Sequence, residues 1–367
     1  MKKKILFVCG GESAEHEVSI RSARNVVDAL DRNSFEPLLV GISKTGTWFL
    51  LPDEKYLHSH NSFLDESEKQ LPVVTLVKRH GQAILVNIEN GESSPVDLAF
   101  PVLHGTNGED GTIQGLFKLV GVPFVGCGVL SSALCMDKEI MKNTLSMAGI
   151  QNAKYKVIRK KQNSQSDLNY SFDELKSQLG LPFFIKPANA GSSVGVFKIK
   201  SKEDFAKNIY ISLKYDTKVI AEEFVKGREL EISVMGLNES PRSAVPGEVV
   251  CHHDFYSYEA KYLDPQGADI LIPAQLSNEI SKEMKKIAEH AYIVCGCNGL
   301  ARVDFFLTEK NELYVNELNT LPGFTAISMF PKMWEAAGVK YQTLINELIA
   351  FALERHKIDS QLVTNFF

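Results

Sequence analysis

The sequence predicts an α/β chain. Its amino-terminal unit is a doubly wound, mainly parallel sheet, and its remainder is α+β. Three observations carry this. Lys4 to Cys9 is an apolar run that stops at Gly10 and Gly11, as a strand buried on both faces does. Ile20, Ala23, Val27 and Leu30 then recur at helical spacing, and Pro37 to Ile42 is a second apolar run, so strand, helix and strand follow in order. From about Tyr155 onward, strands dominate instead.

Along the chain, Val96 to Leu103 reads as a strand running into the glycine-rich segment His104 to Gly111. Ile113, Leu116, Phe117 and Val120 mark the next helix, and Pro123 to Gly128 closes the first unit. One helix is expected from Ser131 to Ala148, followed by strands over 155–159, 182–186, 194–200 and 218–224. The polar stretch Gln162 to Tyr170 reads as a loop. Later strands are expected near 229–236, 243–250, 300–307 and 312–318, with helices near 278–294 and 340–355. The expected units are 1–128, 129–216 and 217–357, with a tail over 358–367. Lys55 to Gly91 carries no interpretable motif, and there is no internal repeat.

Composition bounds the function. With 44% hydrophobic and 23% charged residues, the 367-residue chain has ordinary globular composition. A net charge of −5 argues against nucleic acid as the main partner, because phosphate backbones need a basic face. No apolar run approaches the ~18 residues of a membrane span. Ile5 to Cys9 is too short for a signal-peptide core. Cys9, Cys127, Cys135, Cys251, Cys295 and Cys297 show no C-x-x-C pair and read as buried or free thiols. A cytoplasmic location is expected.

Leu300 to Asn319 reads as a β-hairpin. Side chains alternate faces along each strand, so Arg302 shares a face with Asp304, and Glu317 with Asn319. A turn symmetric about Lys310 and Asn311 sets Asp304 opposite Glu317 and Arg302 opposite Asn319. Opposed carboxylates destabilise a sheet unless a cation lies between them. Two carboxylates and an amide suit magnesium rather than zinc. Strict alternation places Leu313, Val315 and Phe306 on the same face, which is therefore not simply solvated. The hairpin runs into Thr320 to Thr325, a turn offering backbone N–H groups.

Other segments are ambiguous alone. Phe183 to Gly195 is a strand, with Lys186 near its end, followed by a small-residue loop containing Gly191, Ser192, Ser193 and Gly195. Such a loop either cradles phosphate or is a plain turn, and it is not a P-loop. Lys138 lies in a helical pattern and alone reads as a surface lysine. Glu222 to Glu229 is either a polar linker or a set of acceptors for adenine and ribose. His252 and His253 lack a third soft ligand for zinc and open an aromatic-rich segment, Asp254 to Tyr262, that reads as a covering loop.

Taken together, the residues resemble the D-alanine–D-alanine ligases of the ATP-grasp superfamily. The resemblance rests on Gly10 to Ser19, His104-Gly105, Gly108 to Gly111, Met136 to Lys138, Lys186-Pro187, Gly191 to Gly195, Glu259 to Tyr262, Arg302 to Asp304 and Asn316 to Gly323. These occur in family order and carry the likeness to about residue 350. It implies an ATP-grasp fold and joining of two D-alanines through an acyl phosphate and a tetrahedral intermediate. Glu15 would hold the first D-alanine's ammonium, close to His104, with Ser192 and Tyr262 in one hydrogen-bonded set. Lys138, Lys186, Ser192 and Ser193 would bind ATP phosphates, and Lys261 would reach the γ-phosphate. Adenine would lie against Glu222, Glu223, Phe224 and Val225, with Glu229 on the ribose and Asn316 near the nucleotide. Asp304, Glu317 and Asn319 would hold two magnesium ions, or manganese. Arg302 and the Gly323 N–H would stabilise the oxyanion, and Ser328 and Met329 would meet the second D-alanine. A homodimer is implied.

Glu259 to Tyr262, kept as in dipeptide-forming members, points to dipeptide rather than depsipeptide formation. His16 departs from the arginine common in relatives, with little effect expected, since both donate hydrogen bonds. Another ATP-grasp ligase should lack the combination of Glu15, Ser192 and Tyr262. A non-catalytic nucleotide-binding module should lose metal ligands or Lys261. A dinucleotide site at Gly10-Gly11 lacks G-x-G-x-x-G.

Overall fold

The computed structural model describes residues 2–64, 70–160, 168–251, 267–325 and 327–363. The first apolar run is β1 (Lys3–Gly10), followed by α1 (His16–Asp28), β2 (Phe35–Ile42), β3 (Trp48–Leu50) and α2 (Glu54–Ser59). Then come β4 (Val74–Arg79), β5 (Gln82–Asn87), β6 (Ser93–Pro95), β7 (Leu98–Val102) and α3 (Thr112–Val120). β1 lies between β2 and β7, parallel to both, and β3 closes one edge antiparallel. Alternation along β1 assigns its two faces. Ile5, Phe7 and Cys9 pack with Ile20, Ala23 and Val27 of α1. Leu6 and Val8 pack with Ile113, Phe117 and Val120 of α3. Helices therefore cover both faces, as a doubly wound unit requires. The later part of the segment without a motif supplies β4 and β5 of a separate antiparallel sheet β4-β5-β6, whose Leu76 and Leu85 join the core on the α3 side.

The single helix expected from Ser131 to Ala148 is two helices, α4 (Val129–Met136) and α5 (Lys138–Met147). Asp137 breaks them. Its backbone is extended, and its carboxylate accepts the N–H groups of Glu139 (3.1 Å) and Ile140 (3.2 Å), an N-cap. Lys138 is thus the first residue of a helix.

Next are β8 (Tyr155–Arg159), α6 (Phe172–Leu179), β9 (Phe183–Pro187), β10 (Phe197–Ile199), α7 (Lys202–Ser212) and β11 (Lys218–Glu223). They form an antiparallel sheet in the order β10-β9-β11-β8. The two helices interrupt the run of strands expected here. Each starts at a serine cap, Ser171 (a full capping box with Glu174) and Ser201. They bury Phe172, Leu175, Phe205 and Ile209 on one face of the sheet. The expected loop at 162–170 lies mostly outside the described residues.

The last sheet runs through β12 (Gly227–Gly236), β13 (Arg242–Ser243), β14 (Gly247–Cys251) and β15 (Ala268–Leu271). α8 (Asn278–Val294), β16 (Gly299–Thr308) and β17 (Leu313–Asn319) follow. Its order is β15-β14-β12-β16-β17, with β13 on β12. α9 (Met329–Ala336), not expected from the sequence, and α10 (Tyr341–Asp359) complete the chain. Phe324, Phe330, Trp334, Leu344 and Leu348 share one core with Ile5, Phe7 and Ile20, so the carboxy-terminal helices close onto the first unit. All six cysteines are free. Cys127, Cys135, Cys295 and Cys297 lie together in the core behind β16. Among the described residues no helix is long and apolar enough to cross a membrane.

Candidate active site

Three adjacent strands carry an acidic row. Glu231 on β12 pairs with Asp304 on β16, and Asp304 pairs with Glu317 on β17. Ser233, Arg302 and Asn319 form the next row. The opposition of Asp304 to Glu317 and of Arg302 to Asn319 is the register expected from the sequence, but the hairpin is not symmetric. Leu307 pairs with Leu313, so the turn is centred on Lys310 rather than between Lys310 and Asn311, and Asn316 is the extra residue of a bulge that restores the register at Glu317. The bulge corrects the expected face of Leu313 and Val315. Both are buried on the opposite side with Phe305 and Leu307, whereas Phe306 stays on the acidic side. It also leaves Asn316 beside Glu317, where its Oδ1 accepts from Lys186 Nζ at 3.4 Å.

Arg302 spans this row. Its Nε and Nη2 donate to the two oxygens of Asp304, both at 2.7 Å, and Nε lies 3.0 Å from Glu231 Oε2. Burial opposes its charge, but Asp304 and Glu231 outweigh it and hold the guanidinium protonated. Asn319 Nδ2 donates to Asp304 Oδ2 at 3.0 Å. Glu317 lies 3.5 Å from Lys138 Nζ. Glu231 was missed by the sequence reading; its signal is the alternation Glu229-Leu230-Glu231 entering a buried strand. Asp304, Glu317 and Asn319 supply the oxygen donors a hard divalent cation takes, which fits magnesium. In this state Asp304 is engaged by Arg302 and Asn319. Among the described residues no cluster of three His, Cys, Asp or Glu side chains is arranged as a metal cage.

Lys138 and Lys186 approach this face from the neighbouring sheet and α5. Lys138 Nζ donates to the Ala190 carbonyl at 2.8 Å, and so to the glycine loop. Lys186 Nζ lies 2.6 Å from Glu222 Oε2. The other Glu222 oxygen is held by Lys142, a fully buried lysine absent from the sequence reading. Its signal was spacing: it lies four residues after Lys138, on the same helix face. Glu222, which the resemblance sets beside adenine, is here the counter-ion of two lysines. Glu223 accepts the Lys154 N–H at 2.7 Å. The Phe224 ring packs 5.9 Å from that of Phe184, under Lys198 Nζ, and half-buried Val225 follows. Glu229 faces Phe306 across β12 and β16, on the acidic side.

Ser192 and Ser193 both adopt positive φ (50° and 59°), a left-handed pair unusual for serine. A turn conformation of this kind leaves backbone N–H groups available to an anion. A Cβ on Gly191 would lie 3.3 Å from Glu15 Oε2, and one on Gly105 would lie 3.0 Å from the same oxygen. The glycine loop and the His104 segment therefore both abut Glu15, which precedes α1 and is 9% exposed. His104 is buried, with Nε2 3.1 Å from Ser22 Oγ and Nδ1 2.9 Å from the Leu321 carbonyl. Burial lowers its pKa, against the pull of Glu15. Glu109, another residue the sequence reading missed, accepts the N–H groups of Gly105 (2.8 Å) and Leu321 (3.4 Å). Burial of its carboxyl and the nearby Glu15 charge push it up to about 8.

Gly323 is tightly placed, since a Cβ there would lie 2.9 Å from Ser328 Oγ. That hydroxyl accepts the Thr325 N–H at 3.0 Å and precedes α9. Met329 points its side chain into the core against Gly247, leaving only its backbone toward the site. Lys261, Tyr262, His252 and His253 lie outside the described residues.

Lysines and carboxylates facing one another in the cleft between two antiparallel sheets are the ATP-grasp architecture. Solved structures agree. The D-Ala:D-Ser ligase VanG from Enterococcus faecalis superposes with a TM-score of 0.84 at 36% identity, covering 96% of this chain and 100% of that one. A D-alanine–D-alanine ligase from Bacillus anthracis complexed with ATP gives 0.71 at 27% identity, covering 97% and 99%. Family models described as D-ala D-ala ligase N-terminus and C-terminus match residues 4–127 and 144–350. D-alanine–D-alanine ligase A of Salmonella typhimurium is 43% identical over 366 residues, 99% of each chain. The chain belongs to the D-alanine–D-alanine ligase family.

Proposed function

We propose that this chain joins two D-alanines into D-alanyl-D-alanine at the expense of ATP, for peptidoglycan precursors. The observation that carries the reading is the junction at Glu15. There the glycine loop, flanked by Lys138 and Lys186, meets a buried carboxylate pocket suited to an ammonium. A carboxylate is a poor acyl donor, and phosphorylation of it by the γ-phosphoryl group of ATP makes a good leaving group. The second D-alanine's amine then attacks. Phosphoryl transfer mainly needs positioning and charge neutralisation.

On this reading Glu15 and neutral His104 orient the first D-alanine. Lys138, Lys186 and the N–H groups around Ser192 and Ser193 hold phosphates, with Lys261 on the γ-phosphate. Residues 222–225 take adenine, Glu229 the ribose, and Asn316 backs Lys186. Arg302 and the Gly323 N–H face the oxyanion, while Ser328 and the Met329 backbone meet the second carboxylate. Tyr262, with Ser192 and Glu15, closes the site against water. Asp304, Glu317 and Asn319 would hold two magnesium ions, or manganese, which neutralise phosphate charge when bound. We place the functional units at 1–128, 129–216 and 217–357, with a tail after them, and the enzyme as a cytoplasmic homodimer.

The test is phosphate release from magnesium ATP with D-alanine, L-alanine, or D-alanine plus D-serine or D-lactate, with products identified by mass. D-alanyl-D-alanine formed only from the D-isomer is the expected result. A mixed product in preference to the homodimeric dipeptide would overturn the choice of second substrate. No product with D-alanine would overturn the substrate assignment.

A further inference from the structure

Lys142 has no place in the proposed chemistry, yet it is the most enclosed charged side chain near the cleft, with 0% of its side chain exposed. It extends from α5 one helical turn after Lys138 and pairs with Glu222 Oε1. Outside that ion pair, neither Lys142 Nζ nor Glu222 Oε1 has a hydrogen-bonding partner among the described residues. The Tyr155 ring lies 5.9 Å from the ammonium. Such a pair is poorly compensated. Desolvating two charges costs about as much as their attraction returns, and an apolar pair of similar volume is often as stable. Fold stability is therefore a weak reason for this lysine. Burial lowers its pKa and Glu222 opposes this; Glu222, for its part, is held ionised by the two lysines against burial.

The geometry supplies a better reason. Lys186 on β9 pairs with Ile220 on β11, so Glu222 is its diagonal neighbour, and Lys186 Nζ lies 2.6 Å from Glu222 Oε2. Without Lys142, both Glu222 oxygens would turn on Lys186 and draw its ammonium into a closed pair. With Oε1 occupied, Glu222 offers one oxygen. An ammonium has three donors. One goes to Glu222 and one, weakly, to Asn316 Oδ1 (3.4 Å), which leaves one for a phosphate. We propose that Lys142 is a positioning residue for the nucleotide site: by holding one oxygen of Glu222, it limits Glu222 to a single contact with Lys186 and keeps that ammonium available to an ATP phosphate.

This rests on the nucleotide site described above, so the test measures nucleotide binding directly as well as turnover. Magnesium ADP binding is titrated by calorimetry to the full chain, and KM for ATP, KM for D-alanine and kcat are measured beside it. The variants are Lys142→Met, Glu222→Gln and the double variant. Lys142→Met is expected to weaken ADP and raise KM for ATP about tenfold or more, with KM for D-alanine within about twofold. The double variant, in which Glu222 no longer has a charge to turn on Lys186, is expected to bind nucleotide within about threefold of Glu222→Gln alone, whose own loss measures the contact of Glu222 with adenine. Unchanged nucleotide affinity in a folded Lys142→Met chain would overturn the proposal. So would a folded double variant that binds nucleotide about tenfold or more weakly than Glu222→Gln alone. If Lys142→Met does not fold, the double variant set against Glu222→Gln decides alone. Wild type that binds no magnesium ADP would overturn the nucleotide site itself, and this inference with it. ADP binding by wild type without D-alanine turnover would overturn the substrate assignment alone.

Discussion

At the scale of single residues, charges held by other charges dominate the site. Arg302 ties Asp304 and Glu231 together, so its removal does two things. Arg302→Ala should lower turnover by about 10²–10³ through the lost oxyanion contact. It should also lower the thermal midpoint, because two carboxylates lose their cation. A variant with near wild-type kcat would remove Arg302 from the proposed role. Glu109 gives a pH signature. Its carboxyl is raised from 4.5 to about 8 in the folded chain. Between those values the folded chain keeps a proton that the unfolded chain has released, so stability falls as pH rises across the window. Glu109→Gln should erase that slope, and its urea midpoint should gain on wild type from about pH 5 to about pH 8. Parallel curves would show that Glu109 titrates normally.

At the scale of elements, the bulge at Asn316 decides what the acidic hairpin presents. Without the extra residue, alternation along β17 would still put Leu313, Val315 and Leu318 in the core and Glu317 opposite Asp304. Only the side chain of Asn316 and its contact with Lys186 would be lost. Deleting Asn316 should therefore leave a folded protein with weaker magnesium ADP binding. An unfolded deletion variant would show that the bulge is needed to close the sheet. The break at Asp137 works in the same way. It makes Lys138 a first-turn residue whose side chain reaches back to the Ala190 carbonyl, which a residue in the middle of a continuous helix would not do.

At the scale of the whole molecule, the site lies where separate sheets meet, and a shared core holds the first and last of them together. Helices α9 and α10 bury Phe330, Trp334 and Leu344 against residues of β1 and α1. Gly299, at φ 78°, sits so close to Gly126 that a Cβ would lie 3.1 Å from the Gly126 N. Gly299→Ala should cost about 1–3 kcal/mol of stability through left-handed strain and this contact. The loss should appear as one shifted unfolding transition. Two separated transitions would show that the first unit unfolds independently of the last.

The sequence by itself determined the parts whose information is local. Runs and periods marked the first parallel unit, and the alternation around Arg302 and Asp304 marked the acidic face. Motif order marked the family, because glycines, lysines and acids recur at fixed separations. What the tertiary structure alone decided depends on distant neighbours. The break at Asp137 and the bulge at Asn316 each turn on a single residue within an otherwise regular pattern. Lys142 reads as a solvated helix residue until β11 brings Glu222 against it, eighty positions away in sequence. Glu109 is an ordinary loop acid until the fold buries it near the charge of Glu15. Glu231 looks like strand polarity until Arg302 crosses from the next strand. Burial and pairing set the charge of such groups, and these are properties of the assembled fold.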